Sequence, residues 1–361
     1  MGIQEEDMRN RIQGLLTAIS LVSLATSVRA EDVSAVYVGV GSASSEYWAA
    51  YTNGAKAVAQ SFGKDVDVVV SDFDGQKLLE QFGAIFAAGC KGCVVSTDPS
   101  SNAFTKAIIE RADAAGAKYV NIWNRPDEIH PWDTASDTWV ANISFDGVDS
   151  GYQNGNALCK ALGGKGNIVA LNGIPDNPPA KQRIAGLHKA LMECPGVKLL
   201  DTQVGNWDQT QGQTLTRAWL AKYGDQLNGV FSANDGMAVG AVAALREKGL
   251  AGKVFVTGSD GSSDAIKLIE NGEMLSTMYV DGFLQGAYAT ALAAAAVKGD
   301  ITPADLKPEQ RDFYLAQTLV TKENAKAILE EAKDPAKFSY DALKANFWAA
   351  SVGQIPVGAN K

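Results

Sequence analysis

The chain has 361 residues, of which 46% are hydrophobic and 20% charged, and its formal net charge is −9. This length and apolar content suffice for a large buried core divided between two domains of ordinary size. The acidic balance and the lack of any run of lysine or arginine argue against nucleic acid or an anionic membrane as partner, because both require a basic patch.

Residues 1–30 predict a secretory signal peptide that is removed from the mature protein. A basic start at residues 8–11 precedes an apolar run over residues 15–26, and Val28-Arg29-Ala30 matches the small-residue pattern of a cleavage site. The apolar run is too short to cross a bilayer as a mature helix. Because residues 1–7 contain three acids, we expect translation to begin at Met8. The sequence therefore indicates a soluble, exported protein without direct membrane insertion.

The first half of the mature chain alternates apolar strands with amphipathic helices. The predicted strands are 36–40, 66–70, 93–95 and 118–122. A helix follows each of the first three, with inward faces that contain Tyr51, Phe82 and Ile108. Apolar strands without alternation are typical of a parallel sheet that helices cover on both faces. The proline-containing segment 126–139 interrupts this rhythm and predicts a surface loop.

The second half repeats the same alternation of strand and helix. Its predicted strands are 140–143, 167–171, 197–202, 230–231, 254–256 and 274–280, and its predicted helices are 148–162, 180–192, 209–222, 235–245, 263–270 and 283–297. One sheet with so many strands would be unusual for a single small domain. The sequence therefore predicts an α/β protein with two doubly wound parallel-sheet domains and a boundary near Ser144.

Four cysteines in an exported chain permit disulfide bonds. Cys90 and Cys93 have the spacing of a metal-binding pair, but a lone pair cannot close a zinc site, so we expect two buried thiols there. Cys159 and Cys194 fall on successive helices of one region and could meet. The sequence leaves open whether they form a disulfide or remain two thiols.

No catalytic, cofactor or metal site is predicted. The chain has two histidines, His130 and His188, and no Ser, Cys or Lys lies in a motif that would activate a nucleophile. Residues 72–75 resemble the start of a calcium loop but lack the later ligands, so a turn after a strand explains them better. The glycines at 163–166 precede a strand, unlike a phosphate loop, and also predict a turn.

Polar and aromatic side chains cluster after the predicted strands, at the edge where open α/β sheets bind ligands. Planar polar groups and aromatic faces suit a ligand with adjacent hydroxyls and apolar C–H patches. Taken singly, Tyr47 and Trp48 could be core residues and Arg183 a surface residue of a helix. So many such residues at one edge are difficult to explain by folding alone. The predicted ligand-binding residues are Ser44, Tyr47, Trp48, Asp98, Asn124, Arg125, Arg183, Trp207, Asn234 and Asp260.

The motifs around these residues resemble those of periplasmic sugar-binding proteins of the ribose-binding type, which are solute receptors of ABC transporters. Asn234-Asp235 and Asp260-Gly261 match two signatures of that family, each placed directly after a strand. The resemblance extends from about residue 36 to residue 320. The other matching positions are Tyr47-Trp48, Asp98-Pro99, Asn124-Arg125, Arg183 and Trp207.

The resemblance implies a type I periplasmic binding protein, with two lobes joined by a three-strand hinge near residues 144, 281 and 313. The implied segments are an N-terminal lobe of residues 31–144 and 281–312, a C-terminal lobe of residues 145–280 and 313–320, and a helical extension over residues 321–361. It also implies a monomeric receptor in the periplasm. Such a receptor binds a monosaccharide or polyol between its lobes, closes about the hinge and delivers the solute to the membrane permease of an ABC importer.

Three positions depart from the family pattern. Asn124 replaces the Asp of an Asp-Arg pair, Asp98 replaces the Asn of an Asn-Pro pair, and Val280 occupies the place of a glutamine. We expect Val280 to face the ligand, where a sugar hydroxyl would be buried without a partner at a cost of about 1–3 kcal/mol. This predicts weak ribose binding. Because Arg125 and Arg183 balance the carboxylates, we expect an uncharged ligand.

Other functions fit the sequence less well or stay open. Repressors of the lactose type share the core but need an N-terminal DNA-binding helix-turn-helix, and a signal peptide occupies that place here. A nucleotide-linked α/β enzyme would need a glycine-rich phosphate turn after a strand of the first domain, which the sequence lacks. A periplasmic sugar sensor for chemotaxis or for a signalling kinase stays open as a function. In both sensing and transport a membrane partner recognises the closed, liganded receptor.

Overall fold

The computed structural model describes residues 31–331 and 334–356. The predicted signal peptide at residues 1–30, and with it the predicted start at Met8, lies outside the described residues. The described chain forms two lobes, each a mostly parallel sheet between layers of helices, which confirms the predicted fold class. Within residues 31–331 and 334–356, no helix combines the length and apolar character needed to cross a bilayer.

The first lobe alternates three strands with three helices and then adds two further strands. In chain order these elements are β1 (Val36–Val40), α1 (Glu46–Ser61), β2 (Val66–Val70), α2 (Gly75–Ala87), β3 (Val94–Thr97), α3 (Asn102–Ala115), β4 (Lys118–Ile122) and β5 (Trp139–Ser144). Residues 123–138 contain neither helix nor strand, in agreement with the predicted loop.

The second lobe repeats the alternation with five helices. Its elements are α4 (Gly147–Ala161), β6 (Gly166–Asn172), α5 (Pro178–Glu193), β7 (Val197–Val204), α6 (Gln209–Tyr223), β8 (Gly229–Ser232), α7 (Asp235–Arg246), β9 (Phe255–Asp260), α8 (Ser263–Glu270) and β10 (Ser276–Val280).

The chain then returns to the first lobe and adds smaller elements. They are α9 (Gly282–Lys298), α10 (Pro308–Arg311), β11 (Asp312–Leu315), β12 (Gln317–Val320), α11 (Ala325–Glu330), α12 (Tyr340–Lys344) and β13 (Ser351–Gln354). The alanine-rich helix α9 packs along α1 and is buried over most of its length. Small side chains permit this close packing of two helices.

Parallel pairing places the turns that follow the strands at one end of each sheet. Among the described residues the strand orders are β13-β11-β5-β4-β3-β1-β2 and β12-β10-β9-β8-β6-β7. All pairs are parallel except β13 with β11 and β12 with β10. Because β2 lies at an edge, it is not buried on both faces, and Val68 is 42% exposed.

The third crossing between the lobes lies later than residue 313. Strand β11 pairs with β5 of the first lobe, in the register Asp312↔Asn142, whereas β12 pairs with β10 of the second lobe, in the register Val280↔Gln317. The chain therefore crosses at Ala316, between these two strands. The crossing lies this late because backbone pairing holds residues 312–315 in the first sheet.

The extension over residues 321–361 is not simply helical. Helix α11 packs against α8 of the second lobe, whereas α12 packs against α9 of the first lobe. Strand β13 then pairs antiparallel with β11 and so covers the edge of the first sheet. Among the described residues the extension thus connects the lobes a fourth time, and its last element is a strand.

The cysteine prediction is wrong for one pair. Cys90 and Cys93 form a disulfide instead of two thiols. A backbone hydrogen bond from Cys93 N to Cys90 O, 3.0 Å long, closes a turn that brings the two side chains together. Cys159 and Cys194 remain free thiols, and burial, with Cys194 as neighbour, raises the pKa of Cys159 to about 12.

Candidate ligand-binding cleft

A cavity of about 680 Å³ lies between the lobes at the carboxyl ends of the parallel strands. The turns after β1 to β4 form one wall, and the turns after β6 to β9 form the other. Small-molecule sites commonly measure about 300–1,000 Å³. Nine of the ten predicted ligand-binding residues line this cavity, namely Ser44, Tyr47, Trp48, Asp98, Asn124, Arg183, Trp207, Asn234 and Asp260.

Three aromatic side chains form one side of the cleft in the first lobe. Tyr47 lies edge-on to Trp48 at a centroid distance of 5.0 Å and tilted against Trp123 at 5.8 Å. The indole Nε1 of Trp123 donates to the Tyr47 hydroxyl over 3.0 Å, and this hydroxyl donates to Gln285 Oε1. Burial raises the pKa of Tyr47 well above its usual value. Tyr47 is therefore a fixed, neutral part of the wall.

Asp98 and Asn124 form a buried polar pair in the same lobe. Asn124 Nδ2 and the backbone N of Ser100 both donate to Asp98 Oδ1, the latter over 3.0 Å. Burial raises the pKa of Asp98 to about 7, although these two hydrogen bonds oppose the shift. The amide oxygen of Asn124 is buried and has no hydrogen-bond partner among the described residues. The pair therefore presents acceptor oxygens to the cleft.

Arg183 projects from α5 between two indole rings, one from each lobe. Its Cζ lies 5.6 Å from the centroid of Trp123 and 5.8 Å from that of Trp207. Its Nη1 donates to Ala233 O over 2.6 Å and lies 3.9 Å from Asp260 Oδ1. Burial lowers the pKa of Arg183, and Asp260 opposes that shift. Its Nε has no partner among the described residues, so it can donate to a ligand.

The two indoles beside Arg183 are held in a strained backbone conformation. Trp123 has φ 62° and Trp207 has φ 65°, in the left-handed region that bulky residues rarely adopt. Trp207 lies directly against Gly173, where a Cβ would come within 2.0 Å of the ring. Such strain concentrates at functional sites, where surrounding contacts hold it in place. The position of both rings is therefore determined by the fold.

Two acids of the second lobe have distinct environments. Asp235 accepts from Ser262 N over 2.7 Å and from the Thr277 hydroxyl over 2.6 Å, and so fixes the turn that follows β9. Asp260, the last residue of β9, has φ 139° and lies partly exposed at the cleft. Burial raises the pKa of Asp260 to about 8, Arg183 opposes the shift, and Asp235 adds to it. Arg183 therefore does not cover the Asp260 carboxylate, which stays accessible from the cleft.

Asn234 and Trp207 are linked through local hydrogen bonds. Asn234 caps α7, since its Oδ1 accepts from Met237 N over 3.0 Å. Its Nδ2 donates to Trp207 O over 3.2 Å. Trp207 Nε1 in turn donates to Asn177 Oδ1 over 2.8 Å. Asn234 therefore lines the cleft while its amide holds the segment that carries Trp207.

Trp123 and Asn177 are two of the cavity-lining residues that the sequence did not single out. Trp123 directly follows β4 and precedes Asn124, and its position in a turn after a buried strand was an available signal. Asn177 precedes Pro178 and Pro179 at the start of α5, a typical capping position. Its hydrogen bond to Ser100 O of the other lobe could not be predicted from a local pattern.

Arg125 does not line the cleft. Its side chain is fully buried, and its Nη2 lies 3.1 Å from Asp312 Oδ2 at the start of β11. Its Nη1 donates to Pro126 O over 2.7 Å and to Ile129 O over 3.1 Å. These partners turn the guanidinium toward the neighbouring strand and loop. The structure therefore places Arg125 in a scaffold ion pair beside the third crossing, apart from the other nine residues.

Val280 does not face the cleft either. It is 1% exposed, belongs to the apolar core of the first lobe and is not among the residues that line the cavity. The following residue, Asp281, accepts from Leu284 N over 3.0 Å and caps α9. The expected effect of Val280 on ribose binding therefore has no basis in the geometry. Among the described residues, no group of three or more His, Cys, Asp or Glu is placed to hold a metal ion.

The segment 72–75 is a turn that ends a strand and begins a helix. Asp74 Oδ1 accepts from the backbone N of Gln76 and Lys77, over 2.9 and 3.0 Å, and so caps α2. Asp72 forms an exposed ion pair with Lys77 over 2.6 Å. Both carboxylates therefore have local roles, as the turn interpretation predicts.

The cleft as a whole can bind a small polar molecule between aromatic faces. Its lining offers acceptors at Asp98, Asn124 and Asp260 and a donor at Arg183. Partial burial strengthens each hydrogen bond to a ligand, because water is excluded from the site.

Comparison with known proteins identifies relatives over most of the chain. The model of the periplasmic binding protein domain matches residues 36–301. The xylitol-binding protein of Mycolicibacterium smegmatis is 31% identical over 191 residues, which are 53% of this chain and 52% of that protein. The D-apiose import binding protein of Paraburkholderia graminis is 29% identical over 310 residues, which are 86% of this chain and 94% of that protein.

The fold has a solved counterpart of similar size. A crystal structure described as a twin-arginine translocation pathway signal protein from Burkholderia phytofirmans superposes with a TM-score of 0.83 and 32% sequence identity. The similarity covers 90% of this chain and 99% of that one. The matched family model spans both lobes, from β1 to the end of α9. The chain therefore belongs to the periplasmic binding protein family.

Proposed function

We propose that this protein is a periplasmic solute receptor that binds a sugar or polyol between its lobes and delivers it to the permease of an ABC importer. The observation that carries the proposal is the convergence of nine predicted ligand-binding residues from both lobes on one cavity of about 680 Å³. Relatives named for binding xylitol and for importing D-apiose support this ligand class. The relatives are named as binding proteins, which supports a receptor without catalytic activity.

The ligand contacts divide between the lobes. In the first lobe Asp98, Asn124 and Ser44 accept hydrogen bonds from hydroxyls, and Tyr47 and Trp48 contact apolar C–H faces. In the second lobe Arg183, Asn234 and Asp260 contact the polar edge, and Trp207 covers the opposite face. A ligand held this way favours the closed lobes, because it contacts both walls only in that arrangement.

The cellular setting of the proposal rests on the N-terminal sequence and the family. We propose that residues 1–30 direct export and are cleaved, and that the mature chain acts in the periplasm as a monomer. Residues 145–280 and 317–330 would move as one body against residues 31–144, 281–315 and 338–354, with the crossings as the hinge.

A thermal-shift screen tests the proposed function. Purified protein, unfolded and refolded to remove any retained solute, is scanned against pentoses, hexoses, polyols and amino acids. A ligand that binds only the folded state raises Tm, and the rise continues with the logarithm of the ligand concentration above Kd. We expect a concentration-dependent rise for at least one sugar or polyol. A rise with amino acids alone would overturn the proposal.

A further inference from the structure

The cleft is strongly acidic once Arg125 is excluded from it. Among the described residues that line the cavity, Arg183 is the one basic side chain, and the acidic ones are Glu46, Asp72, Asp98, Asp208, Asp235, Asp260 and Asp264. The expectation of an uncharged ligand assumed two arginines in the site. Because Arg125 is buried against Asp312, that balance does not exist.

Most of these acids have local partners. Asp72 pairs with Lys77, Asp208 caps α6, and Glu46 accepts from Ser263 N over 2.8 Å. Asp235 accepts from Ser262 and Thr277, as described above. Asp264 Oδ1 lies 3.7 Å from Lys267 Nζ, and Asp260 Oδ1 lies 3.9 Å from Arg183 Nη1. Asp98 and Asp235 are both buried and form no ion pair, but both oxygens of Asp235 accept hydrogen bonds, whereas only Oδ1 of Asp98 does.

Asp98 also retains an unused oxygen. Both hydrogen bonds that it accepts, from Asn124 Nδ2 and Ser100 N, go to Oδ1. The adjacent Asn124 is 2% exposed, and its Oδ1 has no partner within the described part of the chain. The amide cannot be turned round to provide a donor there, because its nitrogen is the group that bonds to Asp98. Asp98 Oδ2 and Asn124 Oδ1 therefore lie on neighbouring side chains and accept no hydrogen bond within the described residues.

A buried carboxylate without a cation is costly, and a ligand cation removes that cost. A hydroxyl can satisfy one acceptor but brings no charge. A protonated amine has three N–H donors and a positive charge, so it satisfies both oxygens and neutralises Asp98. The aromatic faces of Tyr47 and Trp123 are in the same lobe and further favour a cation. Arg183 is engaged with Ala233 and Asp260 of the second lobe.

We infer that the preferred solute is an amino-substituted sugar or polyol, whose ammonium group binds Asp98 and Asn124 while its hydroxyls contact Arg183 and Asp260. The inference rests on the proposed function and narrows its ligand class. It replaces the expected uncharged ligand. Anionic solutes such as uronic acids and sugar phosphates are disfavoured by the same carboxylates.

Matched solute pairs test this inference by calorimetry. The pairs are glucosamine with glucose and 1-amino-1-deoxyglucitol with glucitol, and N-acetylglucosamine is the derivative that keeps the nitrogen but lacks the charge. We expect at least one amine to bind tenfold or more tightly than both its hydroxyl counterpart and, for glucosamine, the acetylated form. Hydroxyl compounds that bind as well as or better than their amines overturn the inference and leave the proposed function intact. Binding by no member of either pair overturns the inference, and the thermal-shift screen then decides the proposed function.

A substitution links the preference to one carboxylate. Asp98→Asn removes the charge and keeps the shape, so the advantage of the amine over the hydroxyl compound should disappear. Asp225→Asn, an equal charge change in an exposed turn of the second lobe, should leave it unchanged. Circular dichroism establishes that both variants fold. An undiminished amine preference in folded Asp98→Asn overturns the assignment. If that variant does not fold, the wild-type pairs decide.

Discussion

Asn177 of the second lobe donates its Nδ2 to the backbone oxygen of Ser100 in the first lobe over 2.7 Å. Its Oδ1 accepts from Trp207 over 2.8 Å, so one side chain connects the lobes and also orients an aromatic wall of the cleft. On another side of the cleft Glu46 of the first lobe accepts from Ser263 N, at the start of α8. These two direct contacts hold the lobes together around the cavity.

Asn177→Ala should weaken ligand binding. The substitution removes the bond between the lobes and leaves Trp207 Nε1 without its acceptor, a loss of about 1–3 kcal/mol, or roughly 5- to 150-fold in Kd. Calorimetry with the best ligand of the thermal-shift screen measures this loss. Asn167→Ala is the matched control, since it removes a bond to Gln226 O remote from the cleft and should leave Kd unchanged. Equal affinity of the Asn177 variant and the wild type would show that this contact between the lobes does not stabilise the closed, liganded form.

Arg183→Ala should reduce both affinity and stability. Removing a charged hydrogen-bond donor from a desolvated site costs about 2–5 kcal/mol of binding, or roughly 30- to 5,000-fold in Kd. Because Arg183 is 4% exposed and bonds to Ala233 O, Tm of the unliganded protein should also fall. This differs from the behaviour of an arginine in an open cleft, whose loss would leave Tm unchanged. Retained binding with a lowered Tm would show that Arg183 is purely structural.

Val280→Gln should destabilise the fold and leave the affinity unchanged. The side chain is buried in the apolar core of the first lobe, and an amide without a partner there costs about 1–3 kcal/mol. The measurement is Tm together with Kd under conditions where the variant is folded. Val352→Gln provides the control, because Val352 is 64% exposed and its substitution should not change Tm. A changed ligand preference of the Val280 variant would contradict its placement in the core.

The stability contributed by Asp98 should decline as the pH rises. Burial raises its pKa from 3.8 to about 7, so the folded state binds a proton that the unfolded state releases. The corresponding stability is present below about pH 4 and is lost progressively towards pH 7, by up to about 4 kcal/mol. The difference in Tm between Asp98→Asn and the unliganded wild type, measured from pH 4 to 7.5, should shift in favour of the variant. A difference in Tm that does not change with pH would contradict the expected loss of stability.

The sequence was sufficient for the elements but not for some side-chain directions. Strands such as β1, β2 and β4 were predicted to the residue, because mainly apolar runs between turns define them even where Asp67 or Asn121 interrupts the run. Arg125 and Val280 were misassigned, since a motif match gives the position along a strand but not the partner that turns the side chain. Asp312, the partner of Arg125, lies 187 residues further along the chain. Likewise, β13 was missed because its pairing with β11 is a long-range backbone contact.

Calorimetric titration of the wild type and Arg183→Ala with the solute that gives the largest thermal shift is the most direct test of ligand binding in the cleft. The geometry predicts saturable binding of one sugar, polyol or amino derivative per wild-type chain, and at least thirtyfold weaker binding to the variant. Saturable binding that is equally tight in the two proteins, or no saturable heat from any such solute, would contradict a receptor site between the lobes.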